Sequence, residues 1–496
     1  MMDKMIFSRN NILILTGPLL FFLLQLNTPN GISEPAYDML CITLWMAVWW
    51  VTEAVSISVT ALLPIVLFPL TGTVDLETTT ASYGNKYIFL FMGGFILAIA
   101  IQKWNLHKRI ALNIINSIGT NIFNIILGFM VATAFLSMWI SNTATVVMLL
   151  PMGLSIIALL EDNPSTIKKE NERFGKALML GMAYAASIGG IATLIGTPPN
   201  LIFAGFLSES YGIDISFWQW FKYGFPISII LLIIAWIYLT RFAFNFKQTE
   251  FPGGKKEVNK LLAELGPLTR EEKSVLAVFI LTAFFWITRS FLFMGIFPKL
   301  DDTIIAMGFA ILLFTIPANS TGERIITWKD AVKMPWGIII LFGGGMALAA
   351  GFQETGLAEW FGGQISLLQN LSLFLLIVVI VALVNFLTEV TSNTASTAML
   401  LPIVAPVAIA LEINPYLLLV ATTTAASCAF MLPVATPPNA VVFSSGYLSI
   451  PDMIKSGLFM NFISIILLSL VVYFLLPFLW NFDPFDYNFF NPSSKV

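Results

Sequence analysis

Long apolar blocks follow one another along this chain, separated by short polar stretches. A helix needs ~20 apolar residues to cross a hydrocarbon core about 30 Å thick. On that basis eleven crossings are expected, at 11–26, 37–55, 56–71, 87–102, 176–207, 224–244, 274–292, 302–317, 336–352, 415–446 and 457–480. Two further blocks, 122–160 and 372–411, are about twice too long for one crossing, and each carries a polar cluster at its midpoint. Both are expected to be re-entrant hairpins that enter and leave on one side. No small-residue cleavage site precedes Pro29, Asn30 and Gly31, so the first block reads as a retained crossing. The predicted class is an all-α polytopic membrane protein with about eleven transmembrane helices plus two re-entrant hairpins.

The blocks repeat. AFLSMWISNTATVVMLLPM at 134–152 returns as NFLTEVTSNTASTAMLLPI at 385–403, an offset of 251. The same offset pairs FMGGFILAIAIQ (91–102) with FGGGMALAAGFQ (342–353), and GTPPN at 196–200 returns as ATPPN at 435–439, offset by 239. One Ser-Asn-Thr triplet reads as helix packing; matching blocks in matching order do not arise by chance. Five predicted crossings separate the two triplets, so the repeats are expected to be inverted. Inverted repeats with broken helices are the mark of secondary transporters. Gly93–Gly94 and Gly343–Gly345 are assigned to close helix packing.

The polar clusters suggest chemistry. Ser141–Asn142–Thr143 and Ser392–Asn393–Thr394 are expected at the hairpin tips, where one half-helix ends and the next begins. Their hydroxyls and amides offer donors to an anion and oxygens to a small hard cation, and the half-helix N-termini add partial positive charge. Pro198 lacks an N–H and restricts Thr197, while Pro199 suits a first helical turn. The break frees carbonyls near Gly196 and, by repeat, near Ala435. No Lys or Arg lies in these segments, so a bound anion must rely on neutral donors, helix ends and bound cations. Glu389 reads as an anchor for the second hairpin, its repeat mate being Met138; Glu53 is expected to serve likewise.

Composition narrows the function. Hydrophobic residues make up 57% and charged residues 11%, against roughly 25% charged in soluble domains. A net charge of −3 leaves no basic footprint for nucleic acid. Cys41 and Cys428 supply no disulfide framework, and Cys428 reads as a small packing residue. The single histidine, His107, is expected on an amphipathic surface helix at the inner membrane face, far from both motifs. Neither a hydrolytic site nor a nucleotide-binding glycine–lysine motif stands out, which argues against an enzyme, a primary pump or an organic cofactor. Twenty of the 25 Lys and Arg fall in alternate loops assigned to the inside; Lys86, Lys222, Arg289, Lys299 and Lys495 fall outside. The positive-inside rule then predicts a cytoplasmic N-terminus and an extracytoplasmic C-terminus in the cell (inner) membrane.

The paired SNT and TPPN elements, with Ser427-Cys428-Ala429-Phe430-Met431-Leu432-Pro433-Val434-Ala435 followed by Asn439-Ala440-Val441-Val442, resemble the divalent anion/sodium symporter family. The resemblance spans nearly the whole chain and points to bacterial sodium-coupled dicarboxylate transporters. It implies one Na⁺ site at Ser137, Ser141, Asn142 and the backbone of Gly196, and a second at Thr388, Ser392, Asn393 and the backbone of Ala435. Substrate carboxylates would meet Asn142, Thr143, Thr197, Asn393, Thr394 and Thr436. It further implies a homodimer working by an elevator mechanism, in which a transport domain (120–246 and 372–482) slides against a scaffold (1–119 and 270–371). Residues 247–269 would be a cytoplasmic linker and 483–496 a C-terminal tail. The expected activity is sodium-coupled symport of succinate, malate or fumarate; sodium-independent dicarboxylate exchange, or sodium-coupled citrate or sulfate transport, are the alternatives.

Overall fold

The structure, a computed structural model, describes residues 9–26, 29, 31–119, 121–161, 168–246, 254–319, 322–364 and 371–490. Parts of the expected linker (247–253) and tail (491–496) lie outside them. Among the described residues the regular structure is helical throughout, apart from one isolated bridge between Pro317 and Arg324. Among the described residues, eight helices are long and apolar enough to cross a membrane, and six apolar helices are shorter.

The two over-long blocks are hairpins, Ile122–Ser137 with Asn142–Glu161 and Leu373–Leu387 with Asn393–Ala410. Each SNT triplet straddles the turn, as its spacing predicts. Two expected crossings are interrupted. Block 176–207 becomes Lys168–Ile191 and Pro198–Tyr211; block 415–446 becomes Pro415–Ala426 and Pro437–Phe443. The proline pairs cause the breaks. A residue before proline is pushed out of the helical region, and Thr197 (φ −146°, ψ 145°) and Thr436 (φ −142°, ψ 147°) are extended.

Glycines let helices approach where the core is tightest. A methyl on Gly93 would lie 2.8 Å from the Ala306 backbone, and one on Gly344 would lie 2.8 Å from Ala61 Cα. Backbone cannot swing aside as a side chain can, so both positions need glycine for packing. At the periphery, Arg109 Nε pairs with Glu272 at 2.8 Å while its other nitrogens donate to the Leu265 and Gly266 carbonyls. This ties helix Leu106–Ile118 to the end of the expected linker, which also contains the helix Gly254–Glu264. His107 differs from expectation. Its helix is amphipathic, but the ring faces inward, buried beside Leu106, with Nδ1 3.2 Å from the Ile101 carbonyl.

Overpacking a filled core costs ~1–3 kcal/mol. Gly344→Ala and Gly93→Ala should therefore each lower the melting temperature of the purified protein. Unchanged melting in both variants would remove the packing assignment.

Candidate functional site

Each half builds the same cluster of oxygens. Ser137 Oγ lies 2.7 Å from both Asn142 Oδ1 and the Ala186 carbonyl. Thr388 Oγ1 lies 2.5 Å from Asn393 Oδ1 and 3.0 Å from the Ala426 carbonyl. The hydroxyl and amide residues pair at the 251 offset, and Ala186 and Ala426 occupy matching Ala-Ala-Ser runs. One hydroxyl proton serves only one of its two oxygen neighbours. Each trio therefore keeps converging lone pairs, which suits a small hard cation.

The breaks are stapled alike. Asn200 Nδ2 donates to the carbonyls of Gly190 (3.1 Å) and Thr193 (2.8 Å). Asn439 Nδ2 donates to those of Ala429 (3.4 Å) and Leu432 (3.0 Å). Gly196 N–H closes onto Thr193 and Ala435 N–H onto Leu432, each at 3.2 Å. Every pair here obeys the 239 offset. Both asparagines are fully buried, and their amides bond backbone carbonyls at the breaks, where the preceding helices have ended at Ile191 and Ala426. Gly190 leaves room for the first cluster: a methyl there would lie 2.8 Å from Asn142 Oδ1.

A cavity of about 700 Å³ opens between the two hairpin tips and the two breaks. Ser141, Asn142, Thr143, Gly196, Thr197, Ser392, Asn393, Thr394, Ala435 and Thr436 line it. All six residues expected to meet substrate are thus brought together. Ser137 and Thr388 do not reach the cavity; they are buried behind the asparagines. The helices starting at Asn142, Pro198 and Asn393 begin at the wall, placing positive dipole ends there.

The remaining wall was not legible in the sequence. Phe91, Phe95, Trp139, Val390 and Val434 form apolar surface, and Val434 is 80% exposed to the opening. Trp139 adjoins the first triplet, which is a usable signal; the phenylalanines flank glycines whose evident role was packing. Glu53, expected as an anchor, instead closes helix Glu34–Thr52 in a left-handed conformation (φ 48°) and faces the cavity. Among the described lining residues it is the one charged group. Glu389 does anchor, as its burial requires. Its carboxylate accepts from Phe430, Met431 and Leu432 N–H and from Asn461 Nδ2.

The model of the sodium:sulfate symporter transmembrane region matches residues 9–480. The chain belongs to this family. Among its similar proteins, the sodium-dependent dicarboxylate transporter SdcS of Staphylococcus saprophyticus is 47% identical over 471 residues, covering 94% of this chain and 91% of that protein. SdcS of Staphylococcus aureus is 47% identical over 477 residues, with coverage of 95% and 92%. The fold also resembles solved structures at 12% sequence identity. The Alcanivorax borkumensis YdaH transporter aligns with a TM-score of 0.56 over 90% of this chain and 99% of its own. MtrF of Neisseria gonorrhoeae aligns with 0.57 over 93% and 98%.

In this sodium:sulfate symporter relative, the staple asparagines are the most exacting part of the scaffold. Replacing one with leucine takes the amide donor from the Gly190 or Ala429 carbonyl, at ~1–3 kcal/mol, and leaves the Thr193 or Leu432 carbonyl with only the backbone N–H of Gly196 or Ala435. Asn200→Leu and Asn439→Leu should each lower the melting temperature by more than Gly344→Ala does. Melting like the parent protein would contradict the staple.

Proposed function

We propose that the chain is a sodium-coupled symporter of C4-dicarboxylates such as succinate, malate and fumarate. The observation that carries this reading is the pair of equivalent oxygen clusters flanking a cavity with no cationic side chain among its described lining residues. A dianion entering such a cavity meets amide and hydroxyl donors, helix ends and the Glu53 carboxylate. Neutral donors alone do not offset two desolvated negative charges. Two sodium ions in the clusters supply the missing charge, so cation binding creates the anion's site. The names of the SdcS proteins point the same way.

The first sodium shell comprises Ser137, Ser141, Asn142 and the Gly196 backbone, and the second comprises Thr388, Ser392, Asn393 and the Ala435 backbone. With Oδ1 turned toward the hydroxyl, each asparagine keeps its N–H₂ for a substrate carboxylate, assisted by Thr143, Thr197, Thr394 and Thr436. Two donor sets on opposite walls favour a two-headed anion. Because the cavity lies between the hairpin-bearing segments 120–246 and 372–482 and the segments before and between them, sliding of the former as a transport domain would carry the site across the membrane. In this reading the protein is an inverted-repeat homodimer with its N-terminus cytoplasmic and its C-terminus outside.

Uptake of labelled succinate into proteoliposomes tests the proposal. An inward sodium gradient should drive accumulation, equal potassium should not, and unlabelled malate should compete better than sulfate or citrate. Sodium-independent counterflow would favour exchange instead. Asn142→Asp and Asn393→Asp keep an oxygen for the cation but replace the anion's donor with a negative charge. Loss of a charge-assisted hydrogen bond costs ~1.5–3 kcal/mol, about ten- to a hundredfold in affinity. Each variant should lose uptake while remaining monodisperse; near-normal uptake by either would overturn the site assignment.

A further inference from the structure

The two halves join hairpin tip to helix break at the same position with different chemistry. In the first half, Thr193 Oγ1 donates to the Met138 carbonyl at 2.5 Å. Position 138 pairs with 389 at the 251 offset, and 193 pairs with 432 at the 239 offset. In the second half the equivalent strut is the Glu389 side chain. Its Oε1 accepts from Phe430 N–H at 2.7 Å and Asn461 Nδ2 at 2.7 Å, and its Oε2 accepts from Leu432 N–H at 3.0 Å. Met431 N–H, 3.0 and 3.1 Å from the two oxygens, is shared between them. The carboxylate is buried, and none of the ion pairs among the described residues includes it. Helix Ile450–Leu470 presses on the same break, since a methyl on Gly457 would lie 2.5 Å from the Phe430 carbonyl carbon.

We propose that Glu389 is a positioning residue for the second oxygen cluster and makes it the tighter of the two cation sites. This rests on the sodium reading above. Glu389 sits between Thr388 and Ser392 on the hairpin, and through Leu432 it is bonded to the turn that carries Ala435. It thus fixes the two parts of the Thr388–Asn393–Ala435 shell relative to each other. It also leaves a net negative charge, only dipole-compensated, next to a site that receives a cation. The first cluster has a neutral strut and no such charge. The second site therefore fills at lower sodium concentration, and substrate binding waits on the first.

The test is thermal unfolding of the purified full chain across a sodium titration at constant ionic strength, with choline replacing sodium. Wild type should be stabilised by sodium in a curve spread over two binding steps. Glu389→Gln removes the charge and should raise the sodium needed for the first step by about tenfold or more, as expected for losing charge-assisted bonding. The succinate concentration needed for stabilisation at saturating sodium should stay within about twofold, because the charge acts on the cation. A merely structural strut would lower the melting temperature in choline yet leave the sodium midpoint unmoved, and that result overturns the proposal. If Glu389→Gln does not yield monodisperse protein, Asn461→Leu decides: it removes one donor, keeps the charge, and should shift the same step by a few-fold. An unmoved midpoint there also overturns the proposal. Absence of sodium stabilisation in wild type would instead bring down the sodium reading itself.

Discussion

Backbone polar groups inside an apolar body must be satisfied, and two helix breaks in this protein place many of them there. Everything else at the site follows from how those groups are paired. Asn200 and Asn439 bond backbone carbonyls where the helices before the breaks end. Thr193 and Glu389 bind each break to its hairpin tip. The oxygens left over, around Ser137 and Thr388, converge at matching places, which are the sodium sites we propose. The breaks are thus both the structural difficulty of the fold and its chemical resource.

The same constraint bears on how the proposed anion site would work without arginine or lysine among its described lining residues. A fixed cation would hold a dianion whether or not sodium were present, and coupling would be lost. In the proposed mechanism, neutral donors with three helix N-termini would bind weakly alone and better once sodium is in place. In that mechanism Glu53, at the cavity wall, would oppose the anion and favour the cation. The apolar faces of Phe91, Phe95 and Trp139 exclude water and raise the worth of each remaining polar contact.

Much of this was legible in the residues. The hairpins follow from block length with a central polar cluster, and the breaks follow from paired prolines after threonine. The internal repeat assigned Ser137 to Thr388 and Asn142 to Asn393, and each pair makes the same bonds in both halves. The sequence was silent where tertiary packing decides. His107 lies on the predicted amphipathic helix, but only the neighbouring elements determine that the ring turns inward. Glu53 ends an apolar run, and nothing in the run reveals that its left-handed cap points the carboxylate into the cavity. Ala186 and Ala426 contribute carbonyls, which every residue possesses, so no side-chain signal marks them. The one-residue difference between 187–190 and 427–429 also hides their equivalence from a single fixed offset.

The claim at the centre is that sodium occupies the protein before the anion and makes the anion's site. Equilibrium binding of radiolabelled sodium to purified protein, with and without succinate, tests it most directly. The account predicts saturable sodium binding to two sites in the absence of succinate, and succinate binding that collapses when choline replaces sodium. Succinate bound equally well in choline, with sodium binding only in its presence or not at all, would contradict it.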